Sequence, residues 1–281
     1  MLCVDLTGNI GDHLTRYAIC RSVAEKNGYK WGINKVTSHD YFSGKEQMFF
    51  LDIDYGESNN TPYGELPEGI TSVWEEKYEH YDTHDFYPFQ PDIFDVKDNT
   101  KLIVRCGQDA RYFNRSKVKE YFRFRQECAD QSKQVLKNNN IELNENLTVL
   151  NIRGGEYRGV GDLFLPKKYF NDAMGAMIDK NFKMKFVVIT DDPGYFRQFF
   201  NMPVHHFDIM TDYYIINHAQ NLILSNSAFG IFSTWTNENV KNVIAPKYWA
   251  RHNLNTWASS SMWTFGEEQH WNFLDKEGKF S

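Results

Sequence analysis

Strand and helix patterns alternate regularly over the second half of the chain, and this order constrains the fold more than any other feature. Short apolar runs, each followed by a helical pattern, occur at LTVLNIR, FVVIT, NLILSN and NVIAP. Parallel strands need crossover connections, which are right-handed, so this order predicts one parallel sheet covered by helices. In such a sheet, ligands bind at the carboxyl ends of the strands.

A second strand and helix unit opens the chain. The run LCVDL is followed by the turn TGNIGDH and by a helical pattern that ends at Asn27-Gly28. Another apolar run, KLIVRCG, precedes a helical pattern that ends in an asparagine cluster near residue 140. We therefore predict an N-terminal α/β lobe over residues 1–140 and a C-terminal Rossmann-like lobe over residues 141–281, whose tail packs back on the first lobe.

Charge and cysteine content exclude several classes of protein. The 31 basic and 37 acidic residues give a net charge of -6, so the chain has no general attraction for nucleic acid or acidic lipid. The four cysteines lack metal-site or disulfide spacing, which favours a reducing compartment. Neither a signal peptide nor a membrane-spanning run is recognisable. We expect a cytoplasmic protein without a nucleic-acid partner, and any phosphate site must be local.

The loop after the strand LTVLNIR is rich in charge and glycine. Arg153 directly follows the strand, where its planar guanidinium can hold a phosphate through two nitrogens. Gly154 and Gly155 allow the backbone to approach a ligand closely. The alternative is that Arg153 pairs with a nearby carboxylate such as Glu156.

Two further loops follow predicted strands. Asp191 and Asp192 come after FVVIT, where one of them could cap the helix that begins at the next proline. Ser227 and the backbone amides of Ala228 and Phe229 come after NLIL, at the start of a predicted helix. Helix N-termini bind phosphate, although the serine could also be a plain helix cap.

Other motifs carry weaker signals. Gly8 and Gly11 in TGNIGD match neither the dinucleotide-binding nor the P-loop pattern, but their turn could form a wall of a cleft between the lobes. Asp52 and Asp54 form a DxD pair, which in a metal-dependent transferase would bind a divalent cation and diphosphate. Such pairs are common by chance. The nine histidines lack zinc-site spacing, and we predict no metal.

Six segments, in order, resemble motifs of the α-1,2-, α-1,6- and protein O-fucosyltransferase superfamily, and of glycosyltransferase family 11 in particular. They are LTGNIGDHLTRYAICRSVA, GQDARYFN, VLNIRGGEY, FVVITDD, NLILSNSAFGIFSTW and NVIAPKYW. The resemblance implies a GT-B-like α/β fold, with two Rossmann-like lobes facing a central cleft. The first lobe would then lie on the acceptor side and the second would bind the nucleotide-sugar. The resemblance further implies inverting, α-1,2-like transfer of fucose from GDP-β-L-fucose to a glycan hydroxyl without a metal or other cofactor. Because no membrane anchor is recognisable, we expect such an enzyme to act in the cytoplasm of a bacterial cell or a virus-infected host.

The resemblance also implies roles in donor binding. Arg153 matches the arginine that holds the β-phosphate, and Ser227 matches the serine of a phosphate-facing loop. Asp212 resembles an aspartate that recognises guanine in the α-1,6 enzymes, and a carboxylate suits the guanine donors; it could instead be a helix N-cap. The donor-binding residues implied are Gly8, Asn9, Gly11, Asn151, Arg153, Asp191, Asp192, Asp212, Ser227, Ala228 and Phe229.

A carboxylate should take the proton of the acceptor hydroxyl. Asp162, late in the loop after Arg153, resembles the position of the base in the α-1,6 enzymes, and we predict it as the catalytic base. Glu156 is the second candidate and Asp12 the third.

The chain also departs from the motifs that it resembles. The leading histidine of the arginine motif is Asn151, the second arginine is Gly154 and the aspartate is Glu156. The paired tryptophans of the serine loop are Ile231 and Phe232. These changes leave the sugar and the linkage open. They also allow a non-catalytic carbohydrate- or nucleotide-binding protein on the same fold.

Overall fold

The computed structural model describes residues 1–34, 48–57, 61–62, 65–81, 84–161, 163–254, 266 and 270–280. The chain forms two compact units, Met1–Arg125 and Gln126–Ser281. The sequence predicts the boundary at residue 140, but the helix Gln126–Asn138 packs against the helix Ile209–His218 and therefore belongs to the second unit. The acceptor and donor roles of the two lobes stay predictions.

The first unit contains a parallel sheet. Its strands are β1 (Leu2–Asp5), β2 (Trp31–Asn34), β3 (Ser72–Glu75) and β6 (Thr100–Ile103), with a separate antiparallel pair of β4 (Glu79–Tyr81) and β5 (His84–Phe86), and its helices are α1 (Ile10–Asn27) and α2 (Val118–Tyr121). The sheet order is β2-β1-β6-β3. Helix α1 packs on β1 and β2 and ends at Gly28, which has a φ of 71°. Such left-handed backbone favours glycine.

The second unit contains six parallel strands in the order β12-β11-β10-β7-β8-β9. The strands are β7 (Leu147–Ile152), β8 (Lys185–Thr190), β9 (Val204–His205), β10 (Asn221–Leu224), β11 (Asn242–Pro246) and β12 (Asn272–Leu274). The helices are α3 (Gln126–Asn138), α4 (Lys167–Lys180), α5 (Pro193–Phe196), α6 (Ile209–His218) and α7 (Ala228–Trp235). The predicted parallel sheet with crossover helices is confirmed.

The core of the second unit lies between the sheet and α4. Leu150, Val188 and Ile223 are fully buried, and they share one apolar cluster with Phe170 and Met177 of α4. Burial of strands on both faces explains why their sequences are mainly apolar. None of the helices in the described ranges combines the length and apolar character needed to cross a membrane.

The predicted continuous helix that ends near residue 140 is wrong, because the chain is extended between α2 and α3. Phe124 forms an antiparallel bridge with Leu51, and the backbone N–H of Arg125 donates to the carbonyl of Phe50 at 3.0 Å. Pairing with this distant segment outweighs the local helical pattern.

Candidate functional site

Three loops meet at one edge of the second sheet. Strand β7 lies between β10 and β8, and all three run in parallel, so the segments that follow them emerge at the same edge. These are the segments that begin at residues 153, 191 and 225, which the sequence predicts as ligand-binding loops.

Arg153 is held by two carboxylates at this edge. Its Nη1 lies 2.6 Å from Asp191 Oδ2 and its Nη2 lies 2.7 Å from Glu156 Oε1, while its backbone N–H donates to Ser225 Oγ at 2.8 Å. Burial disfavours the charge, but Asp191 and Glu156 outweigh it and raise the pKa of the guanidinium above its ordinary value. The alternative pair with Glu156 is present, but Glu156 is largely exposed.

Gly154 packs two of these loops together. Its N–H donates to Asp191 Oδ1 at 2.6 Å, and a Cβ atom there would lie 2.8 Å from the Cβ of Asp192 and 2.7 Å from the ring of Phe196. No side chain fits in that space. The sequence predicts that Gly154 allows the backbone to approach a ligand. In the structure, Gly154 instead allows the loops after β7 and β8 to pack closely together.

The two aspartates after β8 have different structural roles. Asp191 orients Arg153 and accepts from Gly154, whereas Asp192 is the N-cap of α5, where its Oδ1 accepts from the backbone N–H of Tyr195 at 3.3 Å. Its Oδ2 lies 2.9 Å from Nε of Arg158. The predicted cap is therefore Asp192.

The start of α7 combines unpartnered polar atoms with an uncapped helix end. Ser227 precedes the helix, and its side chain makes no capping hydrogen bond. The side chains of Asn151 and Asn226 are buried, and within the described residues neither Oδ1 has a hydrogen-bond partner. Backbone N–H groups of a first helical turn lack partners in the helix, so this turn, which includes Ala228 and Phe229, can accept an anion.

Asp212 lies in the first turn of α6 and is buried. Its Oδ2 lies 2.8 Å from Nδ1 of His206, and its Oδ1 accepts from the backbone N–H of Phe207 at 3.2 Å. Burial raises the pKa of this carboxyl to about 6. The alternative that Asp212 caps α6 is wrong, because Asp208 is the N-cap and accepts from Thr211 at 2.7 Å. Guanine recognition stays a prediction.

The turn before α1 has an internal cap that sequence reasoning missed. Oδ2 of Asp12 accepts from the backbone N–H of Asn9 at 3.0 Å, as its place three residues after the N-cap could have suggested. Gly8 has a φ of +85°, and a Cβ there would lie 2.4 Å from the same oxygen. Gly11 is buried in the helix. The geometry thus gives Asp12 a capping role.

The remaining predicted residues are the candidate base and the DxD pair. Asp162, the candidate base, lies outside the described residues. Asp52 and Asp54 are exposed, and Oδ1 of Asp54 accepts from the backbone N–H of Gly56 at 3.0 Å. In the ranges that the structure describes, no three His, Cys, Asp or Glu residues are grouped as metal ligands would be.

The first unit contains a cavity of about 520 Å³ beside the carboxyl ends of β1 and β6. Lys101 and Asp5 line it as a largely buried ion pair with 2.8 Å between Nζ and Oδ2, and Arg16 and Arg105 line it as well. Its volume lies within the range of small-molecule sites. The sequence did not indicate this cavity, because its wall combines residues from distant segments.

Comparison with known proteins supports the fold. No protein-family model matches the chain, and no curated protein matches it significantly. POFUT1 in complex with GDP-fucose is similar over 85% of this chain and 94% of that chain, with 8% identity and a TM-score of 0.51. A family 9 glycosyl transferase from Veillonella parvula is similar over 87% of this chain and 80% of that chain, with 12% identity and a TM-score of 0.50. These likenesses confirm the predicted GT-B-like α/β fold with two Rossmann-like lobes; membership of family 11 stays a prediction.

Proposed function

We propose that the chain is an inverting glycosyltransferase that moves fucose from GDP-β-L-fucose to a hydroxyl of a glycan acceptor. One observation carries the proposal: Arg153 is fixed by Asp191 at the carboxyl end of β7, beside the uncapped N-terminus of α7. A guanidinium and helix-terminal amides suit a diphosphate. The fold is that of solved glycosyltransferases, one of them in complex with GDP-fucose.

The proposed chemistry follows from these groups. The acceptor oxygen attacks the anomeric carbon and forms the new glycosidic bond, while the bond from that carbon to the diphosphate oxygen breaks and GDP leaves. The acceptor proton passes to a carboxylate, for which we propose Asp162, later in the same loop as Arg153. Arg153 and the α7 amides stabilise the charge on the leaving diphosphate. The reaction then needs no metal.

Two further assignments belong to this proposal. Asp212 would accept from guanine, because its oxygens accept one hydrogen bond each from the protein and a carboxylate can accept more. The cavity beside Lys101 and Asp5 would hold an acceptor sugar, since its charged wall suits hydroxyl groups.

A nucleotide-binding protein without catalysis is the second candidate. The observation that favours it is Asn151, which stands where the resembling motif has histidine. Its side chain is buried, and a Cβ on Gly230 would lie only 2.3 Å from its Oδ1. This position therefore offers no group that could exchange protons near pH 7. Turnover of GDP-fucose separates the two candidates.

Thermal unfolding with GDP, UDP, ADP and GDP-fucose, each with EDTA or with Mn²⁺, tests the proposal. A ligand that binds only the folded state raises the unfolding midpoint. We expect both GDP and GDP-fucose to raise the unfolding midpoint, and each to raise it as much with EDTA as with Mn²⁺. We also expect the protein to turn over GDP-fucose when an acceptor is present. Stabilisation by UDP only with Mn²⁺ would contradict both the donor and the mechanism, and it would favour the metal-dependent alternative with Asp52 and Asp54.

We expect Glu156→Gln to bind GDP about fivefold more tightly than the wild type and to keep transferase activity. The Glu156 carboxylate accepts a hydrogen bond from Nη2 of Arg153, so a phosphate oxygen has to displace it. Such an exposed ion pair contributes about 1 kcal/mol, which corresponds to the expected change in affinity. Titration calorimetry measures the affinity. Glu142→Gln, an exposed carboxylate before β7, is the control and should change nothing. Normal GDP binding with lost turnover would instead identify Glu156 as the base.

A further inference from the structure

Arg158 lies in the same loop as Arg153, in the short 3-10 turn Gly155–Gly159. Its side chain is 46% exposed. Nε lies 2.9 Å from Oδ2 of Asp192, and this contact is an ion pair rather than a hydrogen bond, because Nε donates towards the carbonyl of Gly155 at 3.5 Å. The guanidinium carbon lies 4.7 Å from the ring centroid of Tyr195. One side of the guanidinium is therefore fixed.

The terminal nitrogens distinguish Arg158 from Arg153. Both terminal nitrogens of Arg153 contact carboxylates, Asp191 and Glu156. Those of Arg158 make no hydrogen bond or ion pair with any residue that the structure describes. They carry four N–H donors in a planar fork, the geometry that suits phosphate oxygens. Because Asp192 and Tyr195 already orient this fork, a ligand would lose little entropy in ordering it.

The charges of the loop call for a second cation. Arg153 is already balanced by Asp191 and Glu156, so it alone cannot offset the charge of a departing diphosphate. Its neighbour, Gly154, has no space for a side chain. Among the described residues of this loop, Arg158 is the further cation.

We propose that Arg158 is a second diphosphate-binding residue that contacts the leaving group together with Arg153, and that Asp192 positions it. This inference rests on the proposed function, because it assumes a nucleoside diphosphate at the carboxyl ends of β7 and β10. It assigns two jobs to Asp192: its Oδ1 caps α5, and its Oδ2 holds the arginine.

Calorimetric titration of GDP, GMP and guanosine into the wild type, Arg158→Ala, Arg158→Lys and Asp192→Asn tests the proposal. We expect Arg158→Ala to weaken GDP binding about 10- to 100-fold and to leave guanosine binding unchanged, because a hydrogen-bonded ion pair to phosphate is lost. Arg158→Lys should lose less, since it keeps the charge without the fork. Asp192→Asn keeps a capping side chain, so it should fold and weaken GDP less than Arg158→Ala does.

Arg197→Ala is the matched control. Arg197 is an exposed arginine of the same unit, and it donates to the carbonyl of Val204 at 3.2 Å, so its loss should leave GDP binding unchanged. If Arg158 only neutralises the buried Oδ2 of Asp192, Arg158→Ala will lower the unfolding midpoint and keep the wild-type ratio of GDP to guanosine affinity. That result overturns the inference while the proposed function stands. A wild type that does not bind GDP overturns the proposed function itself.

Discussion

An Arg153→Ala protein is expected to lose the proposed fucosyl transfer by a factor of about 100 to 1,000. The guanidinium follows β7 directly and is fixed by Asp191 at 2.6 Å, so in the proposed complex it meets the diphosphate charge as that charge develops. The α7 amides would remain, which is why some activity should persist. Initial rates at saturating and at limiting GDP-fucose measure the loss in kcat and in kcat/KM.

Two comparisons make this result specific. Arg153→Lys keeps a positive charge but loses the fork, and its activity should lie between those of the wild type and Arg153→Ala. The unfolding midpoint of each variant shows whether it is folded, since removal of Arg153 leaves the carboxylate of Asp191 with the N–H of Gly154 as its main partner. Full activity in folded Arg153→Ala would refute the proposed role of this residue.

The sheet of the second unit could be predicted because its central strands are buried on both faces. Such strands appear in the sequence as mainly apolar runs, as in β7 and β8. The sequence does not indicate β3, Ser72–Glu75, because this strand is short and alternately exposed. It also could not show that the helix is interrupted between α2 and α3, because the interruption is caused by the pairing of Phe124 with Leu51. A local sequence pattern cannot predict a structure that depends on pairing with a distant segment.

The same distinction applies to the candidate site. A polar residue directly after a buried strand is visible in the sequence, which is how Arg153 and Asp191 could be placed at one edge. Their mutual contact was not predictable, because it depends on β7 and β8 being neighbours. The packing of Gly154 against Phe196 and the burial of His13 likewise follow from tertiary contacts. Residue type and strand order thus predict where the site residues lie, whereas their contacts depend on tertiary packing.

We expect acid to destabilise the fold through two buried histidines. His13 and His252 are 1% and 0% exposed, and among the residues that the structure describes, Nε2 of His13 and both ring nitrogens of His252 have no hydrogen-bond partner. Burial lowers the pKa of each to about 4, and Arg16 adds to the effect at His13. In the unfolded chain the pKa is about 6.5, so below that pH the unfolded state binds protons that the folded state does not. The free energy of unfolding therefore decreases as the pH is lowered, by about 2 kcal/mol per histidine between pH 8 and pH 5.

Urea denaturation of the wild type and His252→Leu at pH 8, 6.5 and 5 measures this effect. Leucine removes two buried ring nitrogens beside Tyr169, so we expect His252→Leu to be at least as stable as the wild type at pH 8 and to lose about 2 kcal/mol less by pH 5. Asp212, whose pKa is raised in the folded state, stabilises the protein as the pH is lowered from about 6 to 4, but this effect is the same in both proteins. His270→Asn, at an exposed position with a φ of 55° that asparagine tolerates, is the control. An equal pH dependence in the wild type and His252→Leu would show that His252 binds its proton equally well in the folded and unfolded states, contrary to what its burial predicts.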